Sequence, residues 1–201
     1  TYNELNVHVI LDAPTNKADR KRFEAEFFAD QGNNKAVTPL QKHGARRICD
    51  DQTVKIMDIL QDEYKFSYKK SRGRRGGGII GSYTELYSNV KKFGYDFGKF
   101  FFDICAASGF NRKIDGYAVY VMRSIRDLYK YYPKDRETIK TFLSDWMRKT
   151  DYRHISSNAG SKYELLGPCY AITMYFEDIV VDGTGLPHKR SVIGDKVVDI
   201  A

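Results

Sequence analysis

Between Ser82 and Val181, apolar side chains recur at three- and four-residue spacing in one segment after another, and a chain patterned this way folds as packed helices. Ser82-Tyr83-Thr84-Glu85 is a capping box that opens a helix to about Phe93. Asp96 to Ser108 follows as a buried helix, with Phe97, Phe100, Phe101, Ile104 and Cys105 at helical spacing. Asp115 to Tyr131 carries Tyr117, Val121, Ile125 and Leu128 on one side, and Pro133 ends it. Asp135 to Lys149 sets Ile139, Phe142, Leu143 and Trp146 on one stripe. Ser161-Lys162-Tyr163-Glu164 reads as another capping box, its helix running past Pro168 to about Val181. At 42% hydrophobic and 14% aromatic, the 201 residues can bury a core, which excludes wholesale disorder.

The first third is less regular. Leu5-Asn6-Val7-His8-Val9-Ile10-Leu11 alternates and reads as a strand. Thr15 or Asn16 caps a helix to about Ala29. Thr38-Pro39-Leu40-Gln41 combines a cap, a proline at the first helical position and a glutamine three residues on, and so starts the next. A further helix begins near Asp51, with Val54, Met57, Ile59 and Leu60 on its apolar side; Asp50-Asp51 reads as its cap rather than as a metal ligand pair. Phe66-Ser67-Tyr68 is a short strand. The last twenty residues, with Gly183, Gly185, Pro187 and Gly194, read as an extended tail. The expected fold class is mainly α (α+β): an N-terminal strand followed by a bundle of about seven helices. Its segments are 1–68, a basic Gly-rich loop at 69–81, a helical bundle at 82–182, and the tail at 183–201.

Charge divides the chain sharply. The net charge is +7, and residues 65–75 hold six basic side chains with no acid: Lys65, Lys69, Lys70, Arg72, Arg74 and Arg75. The rest of the chain is therefore almost neutral. This run leads through Gly76-Gly77-Gly78-Ile79-Ile80-Gly81 into the Ser82 helix, whose first N–H groups can seat an anion. Two readings fit equally: a flexible basic loop without a dedicated ligand, or a contact to the phosphate backbone of a nucleic acid. A nucleotide-triphosphate pocket fits less well, because neither GxxxxGK[ST] nor GxGxxG after a core strand is present. The expected contact residues are Lys65, Lys69, Lys70, Arg72, Arg74, Arg75, Gly77, Gly78 and Ser82, with Tyr68 exposed among them as a stacking group.

Other chemistry is thinly represented. His8, His43, His154 and His188 are scattered without metal-ligand spacing and read as surface or half-buried residues. Glu177, Asp178 and Asp182 form an acidic face expected to be solvated rather than to hold magnesium. No catalytic set, metal site or cofactor is expected. The chain begins at Thr1 without a methionine or an apolar leader and reads as trimmed or incomplete. Cys49, Cys105 and Cys169, sparse and odd in number, point to a reducing, cytoplasmic setting. No apolar run reaches the roughly 18–20 residues of a membrane span, so no membrane partner is expected.

The order of several segments resembles the C-terminal part of an uncharacterised ParB/sulfiredoxin-like family of phages, plasmids and bacterial genomes. The matching pieces are Val7-His8-Val9-Ile10, the 22–28 helix, Asn33-Asn34, Val37-Thr38-Pro39-Leu40-Gln41-Lys42, the Gly76–Ser82 turn with Leu86-Tyr87, the Phe142-Leu143 helix and Gly160-Ser161. The D-G-Q-H-type loop that carries chemistry in that family is missing, so no catalytic residue is carried over. The charge arrangement points to a nucleic-acid-binding accessory protein with non-specific DNA or RNA as partner, and the resemblance implies its setting in a phage or plasmid. Two alternatives stay open. One is a phage-encoded inhibitor of a host nucleic-acid enzyme, of anti-restriction or anti-CRISPR type, bound to a host nuclease complex. The other is a fragment of a ParB-like nucleotide-binding enzyme.

Overall fold

The structure is a computed structural model that describes residues 13–30, 39–68 and 76–200. The expected strand at 5–11 lies outside the described residues. Among the described residues the protein is mainly helical, with eight α-helices, one short 3-10 turn and two small strand pairs.

The helices start where local chemistry supplies caps. Asn16 Oδ1 accepts the Ala18 N–H at 2.8 Å, ahead of α1 (Lys17–Asp30). Pro39 opens α2 (Pro39–Ile48). Asp51 accepts the N–H groups of Thr53 and Val54 and so caps α3 (Gln52–Tyr64). Lys65 ends α3 in the left-handed region, at φ 54°. Ser82 Oγ accepts the Glu85 N–H and caps α4 (Tyr83–Ala107).

α4 joins the two helices expected on either side of Gly94. Gly94 breaks the helical path at φ 74°, ψ −165°, a region essentially confined to glycine. Beyond the break, Phe97, Phe100, Phe101, Phe102, Ile104 and Cys105 are buried. Phe110–Arg112 then forms the 3-10 turn. α5 (Val119–Tyr131) starts four residues later than expected, because Asp115 takes φ 61° and its carbonyl accepts the Ala118 N–H in a turn. α6 (Arg136–Lys149) follows Pro133.

Two expectations are corrected towards the C-terminus. The helix expected from Ser161 to Val181 is two helices, α7 (Tyr152–Lys162) and α8 (Pro168–Thr184). Asp151 caps α7 by accepting the Arg153 and His154 N–H groups, which places Ser161 in its last turn rather than at a start. Pro168 lacks an N–H and stands at the opening of α8. The expected extended tail contains an antiparallel hairpin, β3 (Arg190–Ile193) with β4 (Lys196–Asp199), turning at Gly194. The earlier pair, β1 (Ser67–Tyr68) with β2 (Ile79–Ile80), is parallel.

α4 is the axis of the molecule: α3, α5 and α6 pack on it, and α8 closes the far side against α5, α6 and α7. Met57 and Leu60 of α3, Phe66, Tyr68 and Ile80 share one apolar core with residues of α4 to α8. The basic loop therefore connects two parts of a continuous core. α1 packs against α2 and buries Ala25. No helix among the described residues is long and apolar enough to cross a membrane.

Candidate functional site

The basic segment is held at both feet. Ser67 pairs with Ile79 and Tyr68 with Ile80, the Ser67 N–H donates to the Gly78 carbonyl at 2.8 Å, and the Gly78 N–H donates to the Asn111 carbonyl at 2.6 Å. Gly78 sits at φ 73°, where a side chain is strained. A Cβ on Gly77 would lie 2.3 Å from the Arg112 carbonyl oxygen, so only glycine lets the loop return this close to the 3-10 turn. These two glycines thus act as fasteners of the returning strand. Lys65 is exposed at the outgoing foot, and Arg112 is exposed beside the incoming one. Lys69, Lys70, Arg72, Arg74 and Arg75 lie outside the described residues.

Ser82 caps α4, and the first turn of that helix carries a carboxylate of the protein itself. Glu85, in the first turn, accepts two hydrogen bonds from Arg123 at 2.9 and 2.8 Å and one from Arg126 at 3.2 Å. An Asp or Glu in the first turn satisfies the same positive helix end that an external anion would use.

Tyr68 is not exposed, and its expected role as an open stacking platform is corrected. It is 3% exposed, with its ring 5.1 Å from that of His43 and 5.3 Å from that of Tyr83. His43 and Tyr83 are 5.7 Å apart, edge to face, so the three rings close a triangle. The cause is alternation: in the short β1, Ser67 points to water and Tyr68 to the core. His43, expected at the surface or half-buried, is 4% exposed.

The triangle is polar at its heart. His43 Nε2 lies 2.6 Å from Asp58 Oδ1, and Arg47 grips both oxygens of the same carboxylate at 2.9 and 2.5 Å. Burial pushes the Asp58 carboxyl up, but hydrogen bonds from Arg47 and His43 outweigh it and hold Asp58 below the ordinary carboxylate range. Asp58 is therefore ionised and can only accept, so the proton on that bond belongs to His43 Nε2. Among the described residues, His43 Nδ1 and the Tyr68 hydroxyl are buried without a hydrogen-bond partner. Burial raises the Tyr68 phenol strongly; it also raises Tyr83, to about 12, against the opposing pull of Arg46. Both phenols keep their protons at neutral pH. The Arg46 guanidinium lies 3.6 Å over the Tyr87 ring and 5.8 Å from the Tyr83 ring.

A second polar centre stands on the far side of α5. Glu177 is fully buried and Asp178 is 5% exposed, which corrects the solvated acidic face expected there; Asp182 is exposed. Glu177 accepts the Arg190 Nε at 2.6 Å, the backbone N–H groups of Lys189 and Arg190, and the Tyr132 hydroxyl. Arg190 also bonds Asp127 at 2.8 Å, and Asp127 accepts two bonds from Arg126. The chain of charges runs on from Arg126 to Glu85. These groups satisfy one another and act as a structural clasp. Sequence inspection missed Arg190 because it lies 13 residues beyond Glu177 on a hairpin read as a tail. Asp58 and His43 were hidden for the same reason: they meet only when α2 folds onto α3.

Among the described residues, no group of three or more His, Cys, Asp or Glu side chains is placed to hold a metal ion. A shallow groove of about 270 Å³ beside α4, α5 and α6 is lined by Lys99, Asp103, Arg136, Glu137 and Lys140. Its charges pair internally, Lys99 with Asp103 and Lys140 with Glu137. No protein-family model, no curated protein and no solved structure matches this chain.

Proposed function

We propose that the protein binds nucleic acid through the phosphate backbone, with the loop between β1 and β2 as its contact. The observation that carries this reading is the acid-free run of six cations at 65–75, five of which fall in sequence between two fastened feet, on a chain that is otherwise almost neutral. Elsewhere, guanidinium groups such as Arg47, Arg123, Arg126 and Arg190 are matched by carboxylates of the chain itself. A run with no acid among its eleven residues has no such match in its own segment. Lys65 and Arg112 are exposed cations at its two feet.

Such a surface captures phosphates by releasing condensed counterions, without reading base sequence. The partner class is single- or double-stranded DNA or RNA, and the role is that of an accessory protein in a reducing, cytoplasmic setting. The ParB-like resemblance agrees with this role, but the charge arrangement carries the proposal. The test is binding of one duplex and one single strand across a salt series. Replacing Lys69, Lys70, Arg72, Arg74 and Arg75 with glutamine should abolish measurable retention. Undiminished binding by that variant would overturn the proposal.

A further inference from the structure

We propose that two copies of this chain join edge to edge through β4, their strands pairing antiparallel about a two-fold axis at Val198 to make one four-stranded sheet. The contact uses neither the basic loop nor a nucleic acid, so it stands or falls independently of the reading above.

The hairpin has one closed edge and one open edge. The Ile200 N–H donates to the Lys189 carbonyl at 2.7 Å, and amides alternate in direction along an antiparallel strand. On β3 the outward N–H is therefore that of Arg190, which donates to Glu177 Oε1 at 3.0 Å, so α8 occupies that edge. On β4 the N–H and C=O groups of Val197 and Asp199 point away from β3, where no further strand stands among the described residues. A two-stranded hairpin gains stability from added strands, and an open edge is a template for them.

The two faces of the hairpin also differ. Val192 and Val197 pack on the core beside the buried Arg190. The opposite face carries Ile193, Val198 and Ile200, at 67%, 36% and 47% exposed, three β-branched apolar side chains on one small sheet. The usual guards of an edge are weak here. β4 has no proline, and its Asp199 carboxylate accepts the Tyr131 hydroxyl at 2.8 Å on the inner face.

Charge selects a second copy and fixes the register. A two-fold axis normal to the sheet passes through a residue of β4, because antiparallel partners share a face. Centred on Lys196, two ammonium groups meet; centred on Val197, Asp195 meets Asp199; centred on Asp199, that carboxylate meets its copy. Like charges directly opposite destabilise a strand pair. Val198 is the centre in β4 that avoids all three. There Val197 of each copy forms a hydrogen-bonded pair with Asp199 of the other, which uses the amides left open. Lys196 stands opposite Ile200 and covers it with its aliphatic stem. The two Val198 side chains meet in a non-hydrogen-bonded pair, where side chains come closest.

The experiment follows the mass of the full chain, freed of nucleic acid, by sedimentation from micromolar to millimolar concentration, with amide hydrogen exchange measured alongside. The mass should rise from one chain towards two, and exchange at the Val197 and Asp199 N–H groups should slow in step with it. Val198→Lys sets two ammonium groups face to face at the axis. Since Val198 is exposed, that variant should fold as before and keep the mass of one chain throughout. A wild-type mass of one chain at every concentration would overturn the proposal, whether the two amides exchange fast, as on an open edge, or slowly, as on an edge covered by another segment of the same chain. Association that leaves both amides exchanging fast, or that Val198→Lys does not weaken, would put the contact elsewhere and overturn it equally.

Discussion

At the scale of single residues, the sharpest contrast is between the enclosed Glu177–Arg190 pair and the partly exposed Asp58–Arg47 pair. Glu177 and Arg190 are almost completely enclosed and satisfy each other's charge, so removing one partner leaves the other stranded. Arg190→Met should destabilise the protein by about 3–5 kcal/mol, read from urea unfolding. The double change Glu177→Leu with Arg190→Met should recover most of that loss, because two apolar groups replace a matched pair. An equal loss in both variants would show that the clasp acts through shape rather than charge. Asp58 offers a pH test. Its carboxyl is held below its ordinary value of 3.8 in the folded state, so its contribution is complete above that value and declines as pH falls through the folded one. Asp58→Asn should flatten the acid limb of the stability curve below about pH 4. An unchanged limb would mean that Arg47 and His43 do not favour the ionised form.

At the scale of elements, Gly94 is the position where backbone geometry decides most. No atom lies within 4 Å of a Cβ built there, so Gly94→Ala is a test of conformation alone. It should cost about 1–3 kcal/mol, seen as a lower Tm, and a neutral result would mean that α4 runs straight through this point. The break was legible in the sequence, since the expected helices stop at Phe93 and resume at Asp96. So were the caps at Asp51 and Ser82, because a cap is settled by residues within one turn of it. The errors share a physical cause. The Ser161 box has the right letters, but Asp151 ten residues earlier had already started a helix through that point. The hairpin at 190–199 was missed because its pairing depends on Glu177 holding Arg190 and the Lys189 N–H, contacts from another element. The candidate site divides in the same way. The cationic run is visible as charge, and the alternation of Phe66-Ser67-Tyr68 already turns Tyr68 inward, whereas His43 joins it through the packing of α2 on α3, which no local pattern encodes.

At the scale of the whole molecule, the described residues form a helical body whose buried charges pair with one another, and the sequence adds one segment rich in cations and free of acids. Glu85, Arg126, Asp127, Arg190 and Glu177 tie α4, α5, α8 and the hairpin together. The loop is fastened to this body by two strand residues and a backbone bond to Asn111. On the proposed reading, this mounting lets the loop offer its cations without unfolding the core that supports it. The most direct measurement of the central claim is the slope of log K against log salt concentration for a short duplex. Five phosphate contacts predict a slope of about −4 to −5 for wild type, falling to near zero when the five loop cations are replaced by glutamine. A wild-type slope near zero, or the same slope in both proteins, would contradict the claim.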